Sequence, residues 1–230
     1  MSIVKLADSD VFTKLVADRQ SVRAFLPMPV PANLLQQVLA SARRAPSGSN
    51  LQPGTFLSIE GEARERLSNN LIDAWRNGLQ EVQDYAYSSQ PLSMTLRRRQ
   101  AASAQALYGA LGIVREDRLG RDAQFERNFK FFDAPVALVI TINRGFGSGG
   151  YLDLGMAIYG LMLAAQSQGL ATCAIGAIAS YPNLVRRSLA LDEHCAIVCG
   201  LALGYADDAA PANQTKTTRC DLSDYFHVIA

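Results

Sequence analysis

Arg19-Gln20-Ser21-Val22-Arg23 and Pro46-Ser47-Gly48-Ser49-Asn50-Leu51-Gln52-Pro53 are the two stretches that decide how the rest of this chain is read. The first puts two guanidinium groups and a hydroxyl close together. Arginine offers a planar fork of donors that meets phosphate bidentately, and the four-residue spacing of Arg19 and Arg23 would place both on one face of a helical turn. The second stretch carries no charge. Asn50 and Gln52 each bring one acceptor and two donors, which suits the alternating N–H and C=O groups along a pyrimidine-like edge. Alone, the first reads as a solvated basic turn and the second as a structural loop. Paired, they outline a ligand with a phosphate at one end and a heteroatom-rich ring at the other, the outline of flavin mononucleotide (FMN).

Composition narrows the class. The chain has 230 residues, 49% hydrophobic and 19% charged, enough to build one sizeable core. We find no repeat, low-complexity segment or dividing linker, so residues 1–230 read as one domain. Its 22 basic and 21 acidic residues leave a net charge of +1, which gives no reason to expect nucleic acid or an anionic membrane as partner. The start shows no apolar core with a cleavage site. The longest apolar run, Leu154 to Ala165, is shorter than the roughly 20 residues of a membrane span and reads as a buried or interface helix. Cys173, Cys195, Cys199 and Cys220 form no CxxC pattern and point to reduced thiols in a cytoplasmic protein. With His194 and His227 alone, a metal site is not expected, and few bases exist for a nucleophilic Ser or Cys.

Hydrophobic spacing predicts helices ending near Ala17, running from Pro31 to Ala45, and covering Tyr151–Gln168 and Asn183–Leu191. Strands are predicted at Thr55–Ile59, over the β-branched run Ala134–Ile142, and at Ala171–Ile178 and Ala196–Tyr205. The polar stretch Glu62–Ala102, broken near Pro91, reads as helical, with Arg97-Arg98-Arg99 a solvated face that would also suit a carboxylated substrate such as a nitrobenzoate. The residues between Trp75 and Tyr108 read as pocket lining. Gly145-Phe146-Gly147-Ser148-Gly149-Gly150 satisfies G-x-G-x-x-G between a strand and a helix. The carboxylate that a dinucleotide site needs about 20 residues further on is missing, so the run reads as a glycine-rich connection.

Arg19-x-Ser21-x-Arg23-x-Phe25 followed by Ala45-Pro46-Ser47-x-x-Asn50-x-Gln52-Pro53 resembles the nitroreductase family of FMN-dependent oxidoreductases. Asn128-Phe129-x-Phe131-Phe132-x-Ala134-Pro135-Val136, Gly169-Leu170-Ala171-Thr172, Gly176 and Arg219 extend the likeness over most of the chain. The resemblance implies an α+β fold, a mixed, mainly antiparallel sheet flanked by helices, in an intertwined homodimer with FMN at the subunit interface. It implies that Arg19, Ser21, Arg23 and Arg219 hold the phosphate and ribityl chain, with Gln20 contributing through its backbone. Ile175, Gly176 and Ala177 would lie beside the ring and Asn50 at its edge, while Pro46, Ser47 and Gly48 would reach the partner's flavin. Thr217 stands where several members carry lysine, and Gly176 where some carry an acidic residue. The implied activity is ping-pong hydride transfer from NADH or NADPH to nitroaromatic or related electron-poor compounds, with no protein acid or base assigned. Quinone, flavin or ene reduction on the same scaffold, and FMN binding without turnover, remain the alternatives. The tail Asp221–Ala230 would reach over the partner subunit.

Overall fold

The structure, a computed structural model, describes residues 6–229. Eight strand residues, Val136–Asn143, form β2 at the centre of the molecule. Six of them, Ala137 to Ile142, are buried without interruption. That run differs from the alternation of a half-solvated strand because helices cover both sheet faces. Ala137 and Val139 point into one core with Leu67, Leu71, Phe129 and Ile197; Leu138, Ile140 and Ile142 point into the other with Leu154, Leu161 and Val38. The period of two is intact, and both sides are apolar.

The sheet order is β1-β2-β4-β3, with β1 at Thr55–Ile59, β3 at Ala171–Ile175 and β4 at Cys195–Gly204, every neighbour antiparallel. Among the described residues the one parallel pairing is an isolated bridge between Ser21 and Thr172 on the outer edge of β3. This arrangement disposes of the glycine run: β2 and β3 are not adjacent, so Gly145–Gly150 connects no parallel βαβ unit.

On one face lie α2 (Ala32–Ala42) and α6 (Ser148–Ser167); on the other lie α3 (Gly61–Arg76) and α7 (Pro182–Leu189). The N-terminal α1 (Leu6–Asp18) packs on α6. Close packing sets one composition choice in β4. A Cβ on Gly200 would stand 2.8 Å from Ile178 and 2.9 Å from Phe131, so only glycine lets these side chains cross the strand.

Two predicted spans are corrected. The polar stretch after β1 is not one interrupted helix: α3 ends at Arg76, an irregular segment runs over residues 77–93, and α4 occupies Met94–Ala110. A further helix, α5 (Arg118–Glu126), lies outside the predicted spans. Trp75 packs against Phe125 and Phe129, ring centroids 5.2 and 6.5 Å away. The strand predicted over Ala171–Ile178 stops at Ile175, where a 3-10 turn, Gly176–Ser180, begins.

Candidate functional site

The basic stretch is extended, not helical. Backbone hydrogen bonding of α1 ends as Arg19 donates to the Leu15 carbonyl, and Val22 N–H then donates to Thr172 O at 3.0 Å on the edge of β3. Side chains in extended chain alternate, so residues two and four apart share a side. Val22 and Ala24 are buried, whereas Arg19, Ser21 and Arg23 are partly exposed. The three candidate phosphate ligands therefore do share a face, for a reason different from helical spacing. Burial pushes the Cys173 thiol up, and Arg23, the Ser21 hydroxyl and Arg19 oppose that shift.

What fixes the stretch from its other side is Asn213, a residue with no sequence signal. Arg23 N–H donates to Asn213 Oδ1 at 2.7 Å, and Asn213 Nδ2 donates to the carbonyls of Ala24 and Asp207, each at 2.8 Å. Gln20 Nε2 donates to Asn213 O at 3.2 Å, so its side chain faces the protein. Leu26 N–H donates to Tyr205 O, completing a lacing between β3 and the chain beyond β4. Arg219 sits elsewhere: its Nη1 donates to Thr217 and Thr218 oxygens, and it lines a cleft against α4.

From Thr172 the same edge of β3 leads to Ile175, Gly176 and Ala177. Ile175 is buried, Gly176 exposed and Ala177 between the two. A Cβ on Gly176 would meet nothing within 4 Å, so no protein neighbour demands glycine here. The bare backbone leaves a shelf that a flat ring can occupy. The first N–H groups of a short helix have no partner inside it, and Gly176 and Ala177 open such a turn. The residues present thus fit FMN: cations and a hydroxyl for its phosphate, an open shelf with free N–H groups for its ring.

The second motif is built differently. Pro46–Pro53 carries left-handed backbone at Ser49, Asn50 and Gln52, with φ of 49°, 56° and 49°. Such conformations cost roughly 1–3 kcal/mol each for residues other than glycine and collect at ligand sites. Gln52 N–H donates to Ser47 Oγ and Gln52 Nε2 to Asn50 O, at 2.9 and 3.1 Å. Among the described residues one hydrogen bond ties it to the body: Gly48 N–H donates to Asp153 Oδ2 of α6 at 2.9 Å. Pro46, Gly48, Ser49, Asn50 and Leu51 are all exposed. Among the described residues no hydrogen bond, ion pair or cavity wall joins this loop to the Arg19–Arg23 stretch. A single chain does not bring the two motifs together.

A third element lies inside the span read as pocket lining, though nothing in the sequence announced its buried ion pairs. Asp84, whose side chain is 3% exposed, pairs with Arg186 at 2.6 Å and with Arg144, and accepts from Ile197 N–H at 2.8 Å. Burial raises its carboxyl, but the Arg186 hydrogen bond, the Ile197 N–H and the two guanidinium charges outweigh that, leaving it below the usual carboxylate value. Beside it, Tyr85 donates to Val198 O at 2.8 Å. Val198 is the extra residue of a bulge, since Cys199 faces Ile140 and Ile197 faces Thr141, and a bulge frees ladder groups for such contacts. Glu81 Oε2 accepts from Asn183 N–H at 2.7 Å and caps α7. Asp84 and Tyr85 thus pin this segment to the end of β4 that β3 leaves uncovered, and Glu81 pins it to α7. Tyr85, packed on Tyr151 at 5.1 Å and pushed up to about 12 by burial, walls a cavity of about 600 Å³ with Phe146 and Arg144.

A model of the Nitroreductase family matches residues 16–205. The chain belongs to the nitroreductase family. Among relatives of this nitroreductase, a 4-nitrobenzoate reductase from Pseudomonas putida is 37% identical, covering 95% of this chain and 96% of that one. A chloronitrobenzene nitroreductase from Comamonas testosteroni is 34% identical over 92% and 93% of the two chains. In structure, the FMN and NADPH-dependent nitroreductase NfnB from Sphigopyxis sp. strain HMH superposes with a TM-score of 0.91 at 33% identity, covering 95% of this chain and 99% of that one. The FMN-dependent NfnB from Mycobacterium smegmatis, solved with NADPH, gives 0.90 at 29% identity over 96% and 99%. The α+β fold and its antiparallel sheet are those of these nitroreductases.

Proposed function

We propose that this chain acts as a homodimeric FMN-dependent nitroreductase, using NADPH or NADH to reduce nitroaromatic or related electron-poor compounds. The observation that carries the reading is the outer edge of β3, where Arg19, Ser21 and Arg23 lead directly to the bare shelf at Gly176. One edge thus offers a phosphate end and a ring end in line. When bound, FMN supplies the redox chemistry, accepting hydride from the nicotinamide and passing reducing equivalents to the acceptor.

The protein's part is holding and orienting. Arg19, Ser21 and Arg23 hold the phosphate, and Arg219 adds charge from the tail. Ile175, Gly176 and Ala177 support the ring and direct N–H groups at it, the fixed-dipole arrangement that stabilises developing negative charge. The partner's copy of the Pro46–Asn50 loop closes the ring edge. The separation of the two motifs and the surface chemistry support the dimer. Leu152, Met156 and Tyr159 form an exposed stripe on α6, flanked by exposed Val11, Phe12 and Val16 of α1. A contiguous apolar patch of this kind marks an interface. Tyr225, Phe226, Val228 and Ile229 of the tail are exposed as well, suited to reach over a partner. No described helix is long and apolar enough to cross a membrane. The free thiols Cys173, Cys195, Cys199 and Cys220 support a cytoplasmic setting.

The test is anaerobic. NADPH or NADH added to the purified yellow protein bleaches the flavin absorbance, and 4-nitrobenzoate or nitrobenzene restores it. Bound FMN that neither nicotinamide bleaches would identify a binding module without turnover and overturn the reductase reading.

A further inference from the structure

The helix α4 does something unusual for a surface helix: none of its residues is buried. Instead of an apolar stripe, it presents Thr95, Arg98, Arg99, Ala102, Ser103 and Ala106 to the chain segment 216–224, at helical spacing. The small residues keep the two walls apart and leave a cleft of about 830 Å³. Lys216 and Arg219 stand on the opposite wall. Four cationic side chains therefore line the cleft against two carboxylates, Asp221 and Asp224. Among the described residues none of the four cations is within ion-pair distance of any carboxylate. With Arg219 assigned above to the flavin's phosphate, Arg98, Arg99 and Lys216 remain without counter-charge and are poised for a second anion; a phosphate monoester carries about −1.5 to −2 at pH 7.

We infer that this cleft is the subsite for the 2′-phosphate of NADPH, with Arg98 and Arg99 as its ligands on α4. The inference rests on the reading of this chain as a nicotinamide-dependent flavin reductase. Position supports it. Asn213 is hydrogen-bonded to Arg23 of the clamp, and Lys216 and Arg219 follow within six residues, which extended chain spans in about 20 Å at most. A dinucleotide whose nicotinamide meets the flavin ring lays its adenosine end along the protein surface on that scale. Exposure supports it too. Arg98 and Arg99 are exposed, as suits a dinucleotide that must leave in every cycle. The other phosphomonoester available is that of FMN itself, which Arg219 would serve from the same segment.

The experiment uses the FMN-loaded protein and two redox-inert probes, adenosine 2′,5′-bisphosphate and 5′-AMP, titrated calorimetrically. The bisphosphate is expected to bind at least tenfold more tightly than AMP, and Arg98→Ala or Arg99→Ala to remove about tenfold of that difference, the effect of one charged contact. The ratio of kcat/KM for NADPH to that for NADH should fall by a similar factor, with FMN content unchanged. Both substitutions lie on an exposed helix and favour it, so folding is preserved. Equal affinity for the two probes, or a difference that survives both substitutions, overturns the inference. Loss of FMN from the variants would also overturn it, assigning the arginines to the flavin's phosphate. Failure of the reductase reading looks different: neither nicotinamide reduces the flavin, whatever the probes do.

Discussion

The two motifs that flank the proposed flavin are held in opposite ways. The Arg19–Arg23 clamp is straight chain laced on both sides, with buried Asn213 serving as its buckle. The Pro46–Pro53 loop keeps its shape by its own left-handed residues and, among the described residues, is hydrogen-bonded to the body by one partly exposed carboxylate, Asp153. A clamp that depends on the core should be lost when the core is disturbed. A loop that carries its own shape can project from the body and serve a neighbouring subunit. Changes to each should therefore separate stability from ligand binding in different proportions.

The largest effect expected is on FMN itself. Each charged hydrogen bond to phosphate contributes about 1.5–3 kcal/mol, so Arg19→Ala with Arg23→Ala should weaken FMN binding by a hundredfold or more. Both side chains are partly exposed, so the melting temperature of the apoprotein should hardly move. Fluorescence titration of apoprotein with FMN measures the first, calorimetry the second. Unchanged affinity would remove the clamp from the flavin's phosphate.

Asp84 tests the other extreme, a hub of pure stability. Asp84→Asn leaves Arg186, 10% exposed at its side chain, without its counter-charge, a loss of about 3–5 kcal/mol. The sign of the pH dependence is fixed by the direction of the shift. Asp84 lies below its ordinary value when folded, so its contribution is present above the unfolded value near 3.9 and disappears as pH falls through the lower folded value. Denaturant midpoints from pH 6 down to pH 3 should decline less steeply in the variant than in the parent. A parallel decline would mean that Asp84 is not the titrating group.

Between these two stands the buckle. Asn213→Ala strips a buried side chain that makes three hydrogen bonds to the backbone of residues 23, 24 and 207. Leaving the buried backbone groups unpaired costs about 1–3 kcal/mol, or a melting temperature lowered by several degrees in a chain of this size. FMN affinity should fall with it, because the clamp loses one of its two sides. Affinity unchanged in a destabilised variant would show that the β3 edge alone sets the clamp.

Asn213 also shows where reading the sequence stops. The clamp and loop were legible because each gathers its chemistry within eight residues, and β2 because its apolar run is continuous. The spacing of Arg19 and Arg23 led to a correct shared face through an incorrect conformation, since i and i+4 coincide on a helix and on a strand alike. Asn213, Asp84 and Glu81 act on residues about a hundred or more positions away, and a single polar residue in a loop has no period to betray it. The stop of β3 at Ile175 was hidden for a related reason: Gly176–Ser180 stays as apolar as the strand before it, and only the geometry of β4's open edge shows what replaces the missing pairing.

The smallest effect sharpens the comparison most. Asp153→Ala removes the single tie between α6 and the Pro46–Pro53 loop. The contact is solvent-accessible, so its contribution is about 1 kcal/mol or less, and the melting temperature should drop by no more than about 4 °C. The loop keeps its internal bonds from Gln52 to Ser47 and Asn50 and so keeps its shape, but its placement against a second subunit loosens. Retained FMN should therefore fall at protein concentrations where the dimer begins to separate, and recover as concentration rises. Sedimentation velocity with detection at the flavin wavelength follows both at once. FMN loss independent of concentration would mean that the loop serves the flavin of its own chain, and the contrast between the two motifs would then be one of construction alone.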